Sequence, residues 1–310
     1  MTEHLLYNKV ALVDWQKMTQ DTPVYLLAES AINPLVRTLA DDALKHNLSA
    51  DEENALYWGE MGKVHASISP YLLKLEGWSD FEKNIAFQPH WGILLIPREE
   101  ALTRNNSWFY LLHHLREWTL IEPDQGSHEQ GAMLLRLSDW EVLQVLLNAS
   151  NPSELTSLFG PFETFAYWHK DQTHVQQISL NTRQQSTLPH RSPQRLSEKQ
   201  HSALKAFAHR HQHKKYADHL RQHHSDVENW SDNELSTFLL RNIDTANQLQ
   251  FTNEKDVIRY LSLATVLGEQ FIETSWAQQP LNAPSVMGTL SRMDKLYQCA
   301  IEQLDKEHKG

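Results

Sequence analysis

The chain has 310 residues, with 39 Asp and Glu against 28 Lys and Arg, and a net charge of −11. A length above roughly 250 residues predicts two domains, and the excess of negative charge argues against nucleic-acid binding, which needs clustered Lys and Arg. The single cysteine, Cys299, excludes a disulfide within the chain and a cysteine-rich metal site.

The excess of negative over positive charge lies entirely in the first half of the chain. Residues 1–170 contain 23 acidic and 12 basic residues, whereas residues 171–310 contain 16 of each. The N-terminus has no basic stretch followed by an apolar one, and no run reaches the roughly 18 apolar residues of a membrane span. We therefore expect a cytoplasmic protein without a signal peptide and without stable membrane insertion.

Three short apolar runs in the first half are each followed by a helical pattern. The runs lie at residues 23–28, 91–96 and 131–137, and the helices begin at Asn33-Pro34 and occupy residues 102–115 and 140–147. Alternation of strands and helices predicts an α+β or α/β lobe, with a mixed sheet and flanking helices.

Six short motifs follow one another along this lobe. They are Tyr25-Leu26-Leu27, Ser69-Pro70-Tyr71-Leu72, Trp91-Gly92-Ile93, His114-Leu115-Arg116, Leu135-Arg136 with Asp139, and Phe159-Gly160-Pro161. In their order and spacing, over roughly residues 24–168, they resemble the adaptor domain of type VI secretion effector chaperones. The resemblance implies a non-catalytic adaptor that binds the N-terminal region of a cognate toxic effector and loads it onto the spike protein of the secretion machine.

Six residues in or beside these motifs are candidates for partner contact: Tyr71, Trp91, Arg116, Arg136, Asp139 and Trp140. The family has an aromatic residue and then Asp-Pro after the arginine strand, but here Trp140 follows Asp139 and the proline is absent. Two interpretations of Arg136 and Asp139 stay open. They contact a partner, or they form an internal salt bridge and a cap on the next helix.

The second half reads as helical throughout. Residues 181–195 contain two prolines and one aliphatic residue, which indicates a linker between an adaptor lobe at 1–180 and an all-α lobe at 196–310. Helix starts are predicted at Ser197, Ser231, Asn253 and Pro284. This lobe resembles the helical C-terminal part of many such adaptors, through Gln200, residues 251–257, residues 267–271 and Trp276.

The last predicted helix carries apolar residues at alternating four- and three-residue spacing between Val286 and Leu304. This heptad-like seam has two interpretations. It packs against the other helices, or it forms a dimer or captures a partner helix.

Histidine is concentrated next to the linker, where eight of the 18 fall between residues 190 and 224. His209 with His213 and His219 with His223 have the four-residue spacing that places two metal ligands on one helix face. No glutamate completes a His-Glu-x-x-His pattern, so we predict a basic surface, without metal or cofactor, that meets an acidic partner or the acidic first lobe.

Motifs for a serine nucleophile or a phosphate-binding loop are also absent from the sequence. We therefore expect no enzymatic activity. Two alternatives remain: an enzyme of unknown reaction on the first lobe, and a metal-responsive binding protein that uses the histidine-rich helix.

Overall fold

The computed structural model describes residues 4–42, 53–122, 132–181, 194–283 and 290–307, the last of these residues by its backbone alone. The chain divides into two compact units, Met1–Phe207 and Ala208–Gly310. Most of the expected linker, residues 182–193, lies outside the described residues. The boundaries of the two lobes therefore stay a prediction.

The first unit contains all the described strands. These are β1 (Leu5–Ala11), β2 (Tyr25–Glu29), β3 (Pro70–Lys74), β4 (Gly92–Pro97), β5 (Leu120–Ile121), β6 (Met133–Leu134), β7 (Phe162–Tyr167) and β8 (His174–Leu180). Its helices are α1 (Leu12–Met18), α2 (Leu35–Asp42), α3 (Gly59–His65), α4 (Trp78–Asn84), α5 (Glu99–Leu102), α6 (Ser107–Glu117), α7 (Trp140–Ala149) and α8 (Pro152–Phe159).

Six strands form one sheet in the order β1-β8-β7-β4-β2-β3, and β5 pairs with β6 in a separate ribbon. The predicted architecture of a sheet with flanking helices is confirmed. We expected a mixed sheet, but every pair of described strands is antiparallel. Alternation along the sequence predicts the order of elements and not the direction of each strand, and the antiparallel pairing makes this an α+β unit.

Side chains alternate between the two faces of the sheet, and each face packs against its own layer of helices. On β2, Tyr25 and Leu27 belong to one core cluster, together with Leu143 of α7 and Leu155 of α8. Leu26 and Ala28 belong to another cluster, which includes Trp15 of α1, Val36 of α2 and Phe81 of α4. A strand buried on both faces reads as a continuous apolar run, which is why β2 and β4 were predictable.

Two predicted elements differ from the structure. The run at 131–137 does not form a strand of the main sheet; within its described part only Met133 and Leu134 pair, and they pair with β5. Leu135 and Leu137 are buried, but they precede or lie in a turn and not in a strand. In this turn the amide of Asp139 donates to the carbonyl of Arg136. The predicted helix at 102–115 is two helices, α5 and α6, interrupted before Asn106, which has φ of 58°.

The long helix α9 (Glu198–His223) is followed by the helices of the second unit: α10 (Asp232–Gln248), α11 (Glu254–Leu267), α12 (Ser275–Leu281) and α13 (Arg292–Glu307). The helical lobe is thereby confirmed, as are the caps at Ser197, Ser231 and Asn253. Pro284, predicted to open the last helix, lies outside the described residues.

The core of the second unit contains Tyr216, Phe238, Leu261 and Phe271, and from α13 Met293, Leu296 and Ala300. Of the predicted seam, Met293 and Ala300 are therefore packed, whereas Leu290, Tyr297 and Ile301 are exposed. No helix in the described part of the chain is long and apolar enough to cross a membrane.

Candidate partner-binding site

Arg136 lies beside a buried carboxylate at the end of the central strand β2. Its guanidinium is 3.3 Å from Oε1 of Glu29, whose side chain is 2% exposed, against 43% for Arg136. The hydroxyl of Ser138 donates a hydrogen bond to the same oxygen. A buried carboxylate needs such partners, so the internal interpretation of Arg136 is confirmed, while part of its side chain remains accessible to solvent.

Asp139 caps helix α7. Its carboxylate accepts hydrogen bonds from the amides of Glu141 at 3.0 Å and Val142 at 3.3 Å. The helix begins at Trp140 even though the family's proline is missing, because an aspartate in the N-cap position satisfies two of the amides that the first turn leaves without partners. The predicted cap is confirmed.

Three aromatic rings next to this cap stack on one another. The Tyr167 ring lies 5.9 Å from Trp140 and 6.0 Å from Trp91, at angles of 16° and 10°. Trp91 donates from Nε1 to the carbonyl of Trp168 at 2.7 Å, and Trp140 donates to Gln176 at 3.2 Å. Burial is the main reason that the pKa of Tyr167 is raised. The stack thus links two of the candidate residues through a third that the sequence analysis missed.

The other two candidates hold the segment at residues 53–68 against the edge strand β3. Arg116 donates from Nε and a terminal nitrogen to the carbonyl of Ala55, at 2.9 and 2.7 Å, and burial lowers the pKa of its guanidinium to about 10. Tyr71 is fully buried and donates to the carbonyl of Ala66 at 3.1 Å. Ala55 also forms a β-bridge with Tyr71. Their contacts are therefore internal supports.

Segment 53–68 presents three apolar side chains to solvent. Trp58 is 58% exposed, Val64 is 72% exposed and Ile68 is 47% exposed; we call these three residues the Trp58 patch. Scattered apolar residues are normal on a surface, but these three share one short segment, and tryptophan is among the residues enriched at interfaces. The local sequence gives little indication of them, because Val64 and Ile68 are isolated large apolar residues separated by His65, Ala66 and Ser67.

Hydrogen bonds connect the patch to the Glu29–Arg136 pair. Ser30, the residue after Glu29, donates to the carbonyls of Ser67 at 3.0 Å and Ser69 at 2.7 Å, on either side of Ile68. Tyr57 is the residue before Trp58. Burial raises its pKa most, the charge of Glu29 raises it further, and the charge of Arg136 lowers it. Exposed apolar side chains on a segment that is held in place by such contacts are suited to binding a protein segment.

The structure brings Arg136, Asp139 and Trp140 together, with Trp91 reached through Tyr167, and places Tyr71 and Arg116 against the backbone of segment 53–68. Trp91 and Tyr71 are fully buried, so either would act on a partner only by supporting the surface above it. Contact of any of the six residues with a partner stays a prediction.

The chemistry that the described residues offer is limited. No group of three or more His, Cys, Asp or Glu side chains in the described ranges is arranged to hold a metal ion. A cleft of about 410 Å³ at the ends of β2 and β3 is lined by Asp21, Lys74 and Glu76 among others, and it contains no histidine or cysteine. Lys74 lies 3.5 Å from Glu76, so two of the charged side chains of the cleft form a salt bridge with each other.

Comparison with curated proteins gave no match, and neither did comparison with solved structures. A protein-family model does match the part of the chain that carries the sheet strands β2, β3 and β4 and the candidate residues. Residues 24–157 match the family described as Domain of unknown function (DUF4123).

Proposed function

We propose that this protein is a non-catalytic cytoplasmic adaptor that binds the N-terminal region of a cognate toxic effector and loads it onto the spike protein of a type VI secretion system. The observation that carries the proposal is the family match over residues 24–157. It covers five of the six motifs that resemble the adaptor domain of effector chaperones, and it ends just before Phe159-Gly160-Pro161.

The contacts that the motif residues make support a binding role. Arg116 and Tyr71 brace segment 53–68, and Arg136 and Asp139 fix the start of α7. Arg116 and Tyr71 thus hold the backbone of the segment that carries the Trp58 patch. A preformed apolar surface of this kind binds a partner at a small cost in conformational entropy, and it needs no nucleophile or metal.

Deletion of the gene tests the proposal. The chain should co-purify with an effector encoded beside it, and its loss should abolish secretion of that effector while leaving the effector's own toxicity unchanged when it is expressed directly in a target cell. Complementation with the full chain is the control. Unchanged secretion of every effector in the deletion strain would exclude the adaptor function.

A further inference from the structure

The two edges of the six-stranded sheet differ in how they are covered. Outside β3, the amide of Leu56 donates to the carbonyl of Pro70 at 2.9 Å, and the amide of Leu72 donates to Asn54 at 2.8 Å. Segment 53–68 therefore covers that edge. Strand β1 is the opposite edge, and it pairs only with β8 among the described residues.

The register shows which backbone groups of β1 point outward. The amide of Asn181 donates to the carbonyl of His4, and the amide of Leu12 donates to that of Thr173; both pairs follow the register of β1 on β8. In an antiparallel pair, residues alternate between bonding the neighbour and pointing away from it. Even-numbered residues of β1 thus bond β8, and the outward groups belong to Leu5, Tyr7, Lys9 and Ala11.

The side chains of β1 fit an extended ligand. Leu6 is 42% exposed and Tyr7 is 36% exposed, and they lie on opposite faces of the sheet. The Tyr7 hydroxyl donates to Asn148 of α7 at 2.7 Å, which fixes the strand near the edge. Lys9 is exposed, and no described carboxylate pairs with it. The edge therefore offers backbone groups, an apolar side chain on each face and one exposed cation.

We propose that the outer edge of β1 binds an extended segment of the effector as an added strand, with apolar residues near Leu6 and Tyr7 and an acidic residue near Lys9. This inference rests on the proposed function. A second copy of the chain is the competing occupant, but a net charge of −11 on each copy opposes self-association.

Proline substitution in the full chain tests the edge. Proline removes one outward amide, and edge strands tolerate it there. Lys9→Pro should weaken binding of the co-purifying effector by about tenfold, whereas Lys9→Thr, which loses the charge but keeps the amide, should weaken it less. Ala11→Pro is the second variant, because the φ of Ala11 is −56° and suits proline. Circular dichroism confirms that each variant is folded.

Amide exchange measured by NMR provides a readout that does not need the effector. In the chain alone, amides of Leu6, Asn8 and Val10 should exchange slowly and those of Tyr7 and Lys9 quickly, and the effector should protect the latter. Equal effector binding by wild type and both folded proline variants would overturn the inference while leaving the adaptor function intact. A wild-type dimer that Lys9→Pro converts to a monomer would assign the edge to a second copy instead.

Discussion

Gly160 lies directly against the imidazole of His114. A Cβ atom at residue 160 would be 2.2 Å from Cε1 of the ring, and Gly160 has φ of 49°. The ring is buried, and its Nε2 is 3.0 Å from the carbonyl of Leu158. Two motifs that are far apart in sequence are thus parts of one contact, at the turn between α8 and β7.

Gly160→Ala should therefore lower the free energy of unfolding by about 2–4 kcal/mol, through the positive φ and the overlap with His114. Gly59→Ala is the matched control, because Gly59 has φ of 61° and open space around the added methyl group. It should lose only about 1–2 kcal/mol. Urea unfolding followed by tryptophan fluorescence measures both, and equal losses would mean that the imidazole moves aside without cost.

Sequence patterning predicted β2 and β4 but missed the other four strands of the main sheet, among them the buried strand β3. Strands β2 and β4 are buried on both faces and read as apolar runs, whereas β1 and β8 are half exposed and contain the polar stretches Asn8-Lys9 and Gln176-Gln177. Strand β1 pairs with β8, which is far away in the sequence, so the two strands depend on each other. Nothing in either segment alone distinguishes it from a loop.

The candidate site was predictable only in part. Helix caps are local, so the cap interpretation of Asp139, one of the two left open, was available from its position before Trp140. The partner of Arg136 was not assigned, because Glu29 is more than 100 residues away and only the folded sheet brings the two together. The same holds for Tyr167, which joins Trp91 to Trp140 in the stack.

Tyr260 in the second unit has a buried hydroxyl with no hydrogen-bond partner among the described residues. Tyr260→Phe should leave the free energy of unfolding unchanged or raise it by up to about 1 kcal/mol, because a buried unsatisfied hydroxyl is costly. Tyr216→Phe is the control: this residue is also buried, but its hydroxyl accepts a hydrogen bond from Gln212 at 2.8 Å, and the loss of that bond should cost about 1 kcal/mol. Chemical denaturation at pH 7 checks both values.

The alkaline pH dependence of stability follows from the same residue. Burial, and then the charge of Glu269, raise the pKa of Tyr260 from 10.0 to about 12. The unfolded chain therefore releases this proton near pH 10 and the folded chain only near pH 12, so stability is retained below pH 10 and falls between these values. Tyr260→Phe should reduce that fall. An identical alkaline slope in the two proteins would contradict the assignment.

The histidine pair on α9 should behave as a surface and not as a metal site. Burial, and then the charge of His209, lower the pKa of His213 below 6.5. The unfolded chain then binds this proton more readily, so stability is present at neutral pH and decreases as the pH falls below 6.5. Replacing His209 and His213 by Gln should leave stability nearly unchanged at pH 7.5 and weaken its decrease in acid. Stoichiometric zinc in untagged protein, absent from the double variant, would instead support metal binding.

The Trp58 patch should contribute to effector affinity without contributing to stability. Trp58→Ser with Val64→Ser removes two exposed side chains, so the free energy of unfolding should change by less than about 0.5 kcal/mol for each. If the patch binds the effector, loss of its tryptophan should weaken binding by about 30-fold, the effect of a central interface residue.

Leu240→Ser with Val266→Ser is the matched control, because these residues of α10 and α11 are 58% and 51% exposed. Calorimetry with the co-purifying effector should show wild-type affinity for this variant, because neither residue belongs to segment 53–68 or to strand β1. Equal loss of affinity in the two double variants would indicate a nonspecific apolar effect. Unchanged affinity in the Trp58 variant would move the contact elsewhere on the unit, with the edge of β1 as the next surface to test.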